Sequence, residues 1–288
     1  MLTEMFCAYD DFCLSFDREL AARALPPRRH AGGRPPEMWM SEVMTILTLF
    51  HESRMRDFKH FYLDVVCQQM RDAFPSLVSY PRFVTLTSRA VVYLVAFALR
   101  HGVGRCTGVS FVDSTKLPVC DLRRASRHRV FAGLAAMGKT GAGWFFGFKL
   151  HLAISDQGEL LGMALTPGNV DDRNRSVIQK LTARLFGKLA GDKGYIDQKL
   201  FWELYERNLE LITTIRKNMK NKLMLIENRA VYRARGIIET VNGVLKEGLH
   251  IQHTRHRSPM NFISNLFAGL CAYSFRPQKP TATVQGLA

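Results

Sequence analysis

The chain has 288 residues, of which 47% are hydrophobic, and it carries 40 Lys and Arg against 25 Asp and Glu, for a formal net charge of +15. This balance excludes an acidic disordered chain, a collagen-like repeat and a heptad coiled coil. The longest uncharged apolar run, Ala90 to Leu99, is shorter than the roughly 18–20 residues of a membrane-spanning helix, so we expect a cytoplasmic, nucleoid-associated protein with no membrane partner.

The positive charge is concentrated in the second part of the chain. Residues 1–105 contain 13 basic and 11 acidic side chains, whereas residues 106–288 contain 27 and 14. Such a basic chain fits a polyanionic partner, either nucleic acid or an acidic membrane surface. The difference between the two parts predicts two regions with different roles.

Residues 1–105 have the apolar spacing of helices. Apolar side chains recur at intervals of three and four through Met38–Met55, Phe58–Met70 and Arg82–Leu99, and an N-terminal helix precedes them. The region is therefore predicted to be a small all-helical domain. Between its helices, Leu25–Pro36 is basic and rich in Pro and Gly, and it could be either an arm in a DNA groove or a solvated linker.

From Val109 onward the pattern becomes that of strands alternating with helices. The predicted order is β-β-β-α-β-α-β-α, with strands or helices at Val109–Asp113, Phe146–Ile154, Glu159–Leu165, Asp171–Leu185, Lys188–Asp192, Asp197–Arg207 and Leu209–Ile215, and a last helix around residue 239. Either Asp171 or Asp172 could cap the first of these helices. This order predicts a mixed sheet covered by helices. Residues 277–288 are expected to be a disordered tail.

Three acids occupy positions in this order that suit catalysis. Asp113 is predicted at the end of the first strand, Asp192 after the fourth, and Glu239 in the last helix. Acids at strand ends point into the crevice where α/β sheets bind ligands, and converging carboxylates suit Mg²⁺ or Mn²⁺. A turn former at each Asp and an exposed helical Glu239 are the alternatives.

The segment around Glu239 favours the catalytic interpretation. Tyr232, Arg235, Glu239 and Lys246 would lie within about a 60° arc of one helix face at 100° per residue. A carboxylate beside two cations could bind a metal ion while the cations meet phosphates. A solvated, salt-bridged helix face remains the alternative.

These residues carry a resemblance to a known family. The set Tyr232-x2-Arg235-x3-Glu239-x6-Lys246 resembles the Y-R-E-K motif of DDE-class insertion-sequence transposases, and Asp113-Ser-Thr115 and Gly191-Asp-Lys-Gly-Tyr195 resemble their two aspartate motifs. The resemblance covers residues 106–276 and is strongest to the insertion-sequence-982 group. It implies an RNase H-like catalytic domain at 106–276 and a helical DNA-binding domain at 1–105.

The resemblance also implies the reaction and its residues. Asp113, Asp192 and Glu239 would be the catalytic, metal-binding triad, with two Mg²⁺ or Mn²⁺ ions and no nucleotide. The transposase would bind the inverted-repeat ends of its element in double-stranded DNA as a homodimer or larger synaptic complex. It would expose 3′-OH ends with metal-activated water and join them to target DNA by transesterification. A non-catalytic DNA-binding protein and an RNase H-like nuclease without strand transfer are the alternatives.

Further basic residues extend the predicted DNA contacts. With Tyr232, Arg235 and Lys246, the candidate DNA-binding residues are Arg216, Lys217, Lys220, Lys222, Arg229 and Arg233. A second cluster, 123–129, follows the first strand, and its sequence fits DNA contact and plain exposure equally. Lys149 and His151 share one face of the second predicted strand and are candidate neighbours of the active site, or a structural pair.

Overall fold

A computed structural model describes residues 1–23, 38–141, 143–214, 224–252 and 256–283. The chain forms two compact units. One comprises Met1–Gly102, Glu247–Ile251 and Arg257–Phe275, and the other comprises Val103–Lys246, Gln252–His256 and Arg276–Ala288. The predicted arm or linker at 25–36 lies outside the described residues.

The first unit is all helical over its described residues, as predicted. Its elements are α1 (Leu2–Arg23), α2 (Met40–Glu52), α3 (Phe58–His60), a π-helical continuation (Phe61–Val66), α4 (Cys67–Gln69), α5 (Tyr80–Arg100) and the last helix of the chain, α10 (Pro259–Phe275). The expected second domain extended to residue 276, whereas α10 belongs to the helical unit. Its Ser264 hydroxyl donates to the Thr87 carbonyl of α5 at 2.7 Å.

Helix α5 is the central helix of this unit. By length and composition alone it could cross a membrane. Within the unit, however, it packs against α2 and α10, and its Phe83, Ala90 and Leu94 side chains are fully buried. Its apolar face is therefore the core of the helical unit.

The second unit is built on a six-stranded mixed sheet. Its strands are β1 (Val109–Cys120), β2 (Ala136–Thr140), β3 (Gly143–Ser155), β4 (Leu160–Pro167), β5 (Gly187–Ala190) and β6 (Leu209–Ile212). The sheet order is β2-β3-β1-β5-β6, and β4 pairs with the same long β3 strand as β2 does. Strands β1 to β4 pair antiparallel, whereas β1, β5 and β6 pair parallel. The mixed α/β prediction is confirmed.

Helices flank the sheet. They are α6 (Arg175–Leu181), α7 (Gln198–Tyr205), α8 (Ile226–Ala234) and α9 (Gly236–Gly243). On one face, Val112 and Ala153, which are paired across β1 and β3, pack with Ile178 of α6 and Leu204 of α7. Helix α9 packs against β1. The core of this unit is thus a sheet covered by amphipathic helices.

Several predicted boundaries differ from the structure. Strand β1 continues seven residues beyond Asp113, and the register shifts between Pro118 and Cys120, which is how Pro118 is accommodated. Strand β2 was not predicted. The prediction of a disordered tail covers residues 277–288, of which the structure describes 277–283, and there the Ala282 amide donates to the Asp156 carbonyl at 2.8 Å in the β3–β4 turn. Residues 284–288 lie outside the described residues.

Candidate active site

Asp113 lies in the interior of β1, not at the strand's end as predicted. It lies two residues after the short stretch, Val109 to Phe111, that pairs with β5. The side-chain amide of Asn242 on α9 donates to its Oδ2 atom at 3.2 Å. Asp113 is therefore a carboxylate held between a central strand and the helix that covers it.

Asp192 follows β5, as predicted, and comes close enough to Asp113 to affect its ionisation. Its Oδ1 atom accepts a hydrogen bond from the Gly194 amide at 2.6 Å, which caps the short 3-10 helix Lys193–Tyr195. Burial, with a smaller contribution from the Asp192 carboxylate, raises the pKa of Asp113 to about 6, whereas a hydrogen bond from the Ser114 amide and the Arg235 charge oppose the shift. Two carboxylates that repel each other in this way suit a cation between them.

Glu239 lies on α9 as predicted but does not join the two aspartates. Its Oε1 atom accepts a hydrogen bond from an Arg235 amino group at 2.7 Å, and its side chain is 61% exposed. Among the described residues, no group of three or more His, Cys, Asp or Glu side chains is placed to hold a metal ion. The structure therefore brings together Asp113 and Asp192 and leaves Glu239 paired with Arg235.

The predicted Tyr-Arg-Glu-Lys stripe lies on helical backbone that is not uniform. Arg235 is a junction between α8 and α9, and a π-helical turn, Val244–Gly248, follows α9. The predicted 60° arc assumed that all four residues lie on one α-helix. That assumption is wrong, because each residue of a π-helical turn rotates by less than 100° about the helix axis. Tyr232, Arg235 and Glu239 still form a chain of contacts, since the Arg235 guanidinium lies 6.0 Å from the Tyr232 ring centre.

Lys246 is partly buried in the π-helical turn. Burial lowers its pKa, and so does the neighbouring Lys116, whereas the Asp113 carboxylate opposes the shift. This influence of Asp113 places a cation beside the aspartate pair. Tyr232 is fixed separately, because the Thr214 hydroxyl donates to its phenolic oxygen at 3.0 Å.

Lys149 and His151 share one face of β3, as predicted, but it is the face opposite to Asp113. The register pairs His151 with Ser114 and Leu152 with Asp113. Lys149 is 8% exposed and His151 is fully buried. Burial lowers the pKa of His151 to about 4, so the ring is neutral at pH 7.

On this face of the sheet, Asp172 pairs with Lys149 and lies 4.0 Å from His151 Nδ1. It does not cap a helix. Asn174 caps α6 instead, since its Oδ1 atom accepts from the Val177 amide. The Asp172 Oδ1 atom accepts hydrogen bonds from Lys149 Nζ at 3.0 Å and from the Ser114 hydroxyl at 2.8 Å. Asp172 thus fixes β1 at the residue next to Asp113, a role that the capping interpretation missed.

Two further residues at the site had no predicted role. Tyr195 is 1% exposed, and its hydroxyl has no hydrogen-bond partner among the residues that the structure describes. Burial raises the pKa of Tyr195 well above its usual value, and the carboxylates of Asp172, Asp113 and Asp192 act in the same direction. Asn242, the other residue, was detectable only through its position three residues after Glu239 on the same helix.

The predicted basic cluster before the motif is only partly described. Arg216, Lys217, Lys220 and Lys222 lie outside the described residues. Arg229 and Arg233 lie on α8 and are exposed, as a DNA contact requires. The acid in this stretch, Glu227, pairs with Lys188 at 2.9 Å, so it does not neutralise those arginines.

The family model of the transposase DDE domain matches residues 103–259. The chain belongs to this family. Its transposase DDE domain begins where the α/β unit begins, at Val103, and it includes Asp113, Asp192 and Glu239. The motifs that predicted a DDE transposase are confirmed at the level of the family. No curated protein matches the chain.

The fold is similar to a solved transposase. The chain resembles one in the cryo-EM structure of the piggyBac transposase synaptic complex with hairpin DNA, with a TM-score of 0.51 and 11% sequence identity. The alignment covers 94% of this chain and 71% of that chain. This likeness supports the predicted fold of an RNase H-like sheet preceded by helices.

Transposase DDE domains generally use divalent metal ions, and the residues present fit such an ion. Asp113 and Asp192 supply hard oxygen ligands whose mutual repulsion a cation would relieve. The Asn242 side-chain oxygen is buried and has no hydrogen-bond partner in the described part of the chain. Asp113 and Asp192 are therefore the residues that would hold the metal ion.

Proposed function

We propose that this chain is a DNA transposase that cleaves the inverted-repeat ends of an insertion sequence and joins them to target DNA. The observation that carries the proposal is the Asp113 and Asp192 pair inside a transposase DDE domain. The motif residues further suggest the insertion-sequence-982 group. A cytoplasmic, nucleoid-associated location follows from this substrate.

The residues around the aspartates have separate roles in this proposal. Asp113 and Asp192 would hold the metal ions, and the Asn242 amide holds Asp113 in place. Mg²⁺ or Mn²⁺, two ions per site, would stabilise charge on the attacking and leaving oxygens of the phosphodiester. Lys246, beside Asp113, contacts a DNA phosphate. No nucleotide takes part.

The Arg235–Glu239 ion pair is the resting state of the third acid. When a DNA phosphate binds Arg235, the guanidinium exchanges one anion for another and releases Glu239. Glu239, exposed and on the helix that also carries Asn242, then completes the triad. The site is thus assembled only when DNA is present.

The reaction proceeds as two displacements at phosphorus. Water attacks the phosphodiester at the element end, the bond to the 3′ oxygen breaks, and the departing oxygen takes a proton to become a 3′-OH. This hydroxyl loses its proton and attacks a target phosphodiester. As the new bond to phosphorus forms, the bond to the target's 3′ oxygen breaks, that oxygen takes a proton and leaves as a 3′-OH, and no covalent protein intermediate is needed. No serine or tyrosine nucleophile is required.

Double-stranded DNA and a second copy of the chain are the proposed partners. The net charge of +15 and the exposed Arg229 and Arg233 on α8 support DNA binding. Two element ends must be cut together for an element to move, so we infer a homodimer or larger synaptic assembly. The similar piggyBac structure is a synaptic complex with DNA, which supports this inference.

The test uses a plasmid that carries the gene with its own flanking DNA. Purified protein is incubated with Mg²⁺, Mn²⁺ or EDTA, and breaks are mapped by sequencing. The wild type and Asp197→Asn are expected to leave 3′-OH ends at the two borders, whereas Asp192→Asn is expected to leave none. Asp197 is a matched control because it caps α7, and Asn caps helices equally well. Border binding without cutting under any metal would instead support a non-catalytic DNA-binding protein.

A further inference from the structure

A second basic surface lies beside the β2–β3 hairpin, and its backbone is fixed. A 3-10 helix, Leu122–Arg127, follows β1, and the chain then returns to β2 through Phe131. Phe131 is 1% exposed and packs edge-on against Phe148 of β3, with ring centres 5.6 Å apart. The His128 ring stacks on Phe131 at 5.5 Å. This segment is therefore anchored in the core of the α/β unit.

The anchored segment carries more cations than acids. Arg123, Arg124 and Arg127 are exposed on the 3-10 helix. Asp121 is the acid in residues 121–155. Its Oδ1 atom accepts from the Arg123 amide at 3.0 Å and lies 3.5 Å from Arg123 Nε, so it offsets one of the three arginine charges. Like charges held close together on a fixed backbone repel one another, so the arrangement favours an anionic partner.

The adjoining hairpin adds an exposed aromatic ring. The register of β2 and β3 pairs Lys139 with Trp144 and Met137 with Phe146, so these side chains share one face. Trp144 is 55% exposed, and Lys139 Nζ lies 5.5 Å from the Trp144 ring centre. Lys139 lies over the ring, and the exposed part of the indole can be reached by a ligand.

The arginines and the hairpin are neighbours. Phe146 also pairs with Cys120 at the end of β1. Burial raises the pKa of Cys120, and the Arg124 guanidinium opposes that shift, so Arg124 lies near this end of the hairpin. Cys120 is seven residues along β1 from Asp113, which at about 3.3 Å per residue is roughly 20 Å from the candidate active site.

We propose that this hairpin surface, formed by Arg123, Arg124, Arg127, Lys139 and Trp144, binds DNA away from the cleaved bond. The inference rests on the proposed function. The cations neutralise phosphates, and Trp144 stacks on a base or a deoxyribose. An acidic protein would match the charge, but the exposed indole beside a lysine suits the alternating phosphates and flat rings of a nucleic acid.

The first test measures the salt dependence of binding to a 40-base-pair duplex of the gene's flanking DNA. In Arg123→Ala/Arg124→Ala/Arg127→Ala, the slope of log K against log salt is expected to fall in magnitude by about three, close to 0.9 for each lost phosphate contact. The control with the same charge loss is Lys180→Ala/Arg184→Ala/Lys199→Ala, whose parent residues are exposed in the same unit. Equal slopes for the two variants would overturn the proposal.

The second test observes Trp144 directly. The chain has three tryptophans, so Trp39→Phe/Trp202→Phe leaves Trp144 as the sole indole emitter. We expect the duplex to quench this emission, and Trp144→Ala to weaken binding by roughly tenfold. Trp202→Ala is the matched control, because Trp202 is 53% exposed. Its affinity is expected to equal that of the wild type.

The outcomes separate this inference from the proposed function. If the wild type binds DNA but Trp144 is not quenched and the arginine variant keeps its slope, the hairpin surface is not a DNA contact and the transposase proposal stands. If the wild type does not bind the duplex at any salt concentration, both are wrong. If an acidic polypeptide such as polyglutamate quenches Trp144 and DNA does not, the partner is a protein and the inference is overturned.

Discussion

Replacing Asp113 with asparagine should stabilise the metal-free protein near neutral pH. Burial and the Asp192 carboxylate raise the pKa of Asp113 to about 6 from an ordinary value of 3.8. The folded protein therefore holds a proton that the unfolded chain releases. The bound proton stabilises the folded state. This contribution to the free energy of unfolding is complete below pH 3.8 and is lost as the pH rises through 6. The difference corresponds to about 3 kcal/mol.

The assay is urea unfolding in EDTA at several pH values between 3.5 and 8. The introduced asparagine side chain cannot ionise, yet it keeps an oxygen for the Asn242 amide. We expect Asp113→Asn to match the wild type at the acid end and to exceed it by up to about 3 kcal/mol at pH 8. Added Mg²⁺ should then stabilise the wild type and not the variant, because only the wild type retains both carboxylates.

Asp171→Asn is a control for which the expected change in stability at pH 8 has the opposite sign. The Arg173 side chain holds the pKa of Asp171 at about 2, so its stabilising contribution is present above pH 3.8 and is lost as the pH falls through 2. This variant should be the less stable one at pH 8. A constant stability difference between Asp113→Asn and the wild type across the pH range would refute the argument, as would a less stable variant at pH 8.

Three further changes test other parts of the structure. Asp172→Asn should lower the unfolding free energy by roughly 2 kcal/mol in urea, because it leaves the buried Lys149 without its anion, and Lys149→Met in the same chain should restore it. Tyr195→Phe should keep or slightly raise the melting temperature, because the buried hydroxyl makes no hydrogen bond; a marked decrease would reveal a partner. Leu94→Ala should cost about 2–5 kcal/mol if α5 is a core helix, and a loss below about 1 kcal/mol would contradict its packing.

Local patterns in the sequence predicted most of the α/β unit. The alternation of Phe148, Leu150, Leu152 and Ile154 predicted β3, since a long strand paired on both edges keeps its period of two. Strand β2 was missed because it is five residues long and contains Gly138. Its pairing with β3 depends on a turn that no periodicity reveals. The prediction that β1 ends at Asp113 was wrong. The strand continues past Pro118 through a bulge, and the bulge depends on pairing with the partner strand β3.

The sequence predicted which residue types form the candidate site, but it predicted only part of how they are arranged. Asp113 and Asp192 come together as expected, because strand order brings β1 and β5 side by side. The Arg235–Glu239 ion pair was not expected, since the motif spacing fits a metal ligand and a salt bridge equally well. Either Asp171 or Asp172 was expected to cap a helix, and the contacts of Asp172 with Lys149 and Ser114 arise from pairing between strands distant in sequence.

The position of α10 shows a similar limit. No helix was predicted for this segment, and nothing in its sequence says which core it completes. In the structure its buried face packs on α5 and α2, more than 150 residues earlier in the chain. Long-range packing of this kind follows from the shape of the apolar face and not from its order in the sequence.

The most direct test of the account is strand transfer with a pre-cut element end. A duplex of the border sequence with a free 3′-OH is incubated with a target plasmid, Mg²⁺ and the wild type, Asp192→Asn or Asp197→Asn, and joints are sequenced. The account predicts covalent joints between the 3′-OH and the target for the wild type and Asp197→Asn, and none for Asp192→Asn or in EDTA. Metal-dependent cutting with no joints in any reaction would contradict it and identify a nuclease without strand transfer.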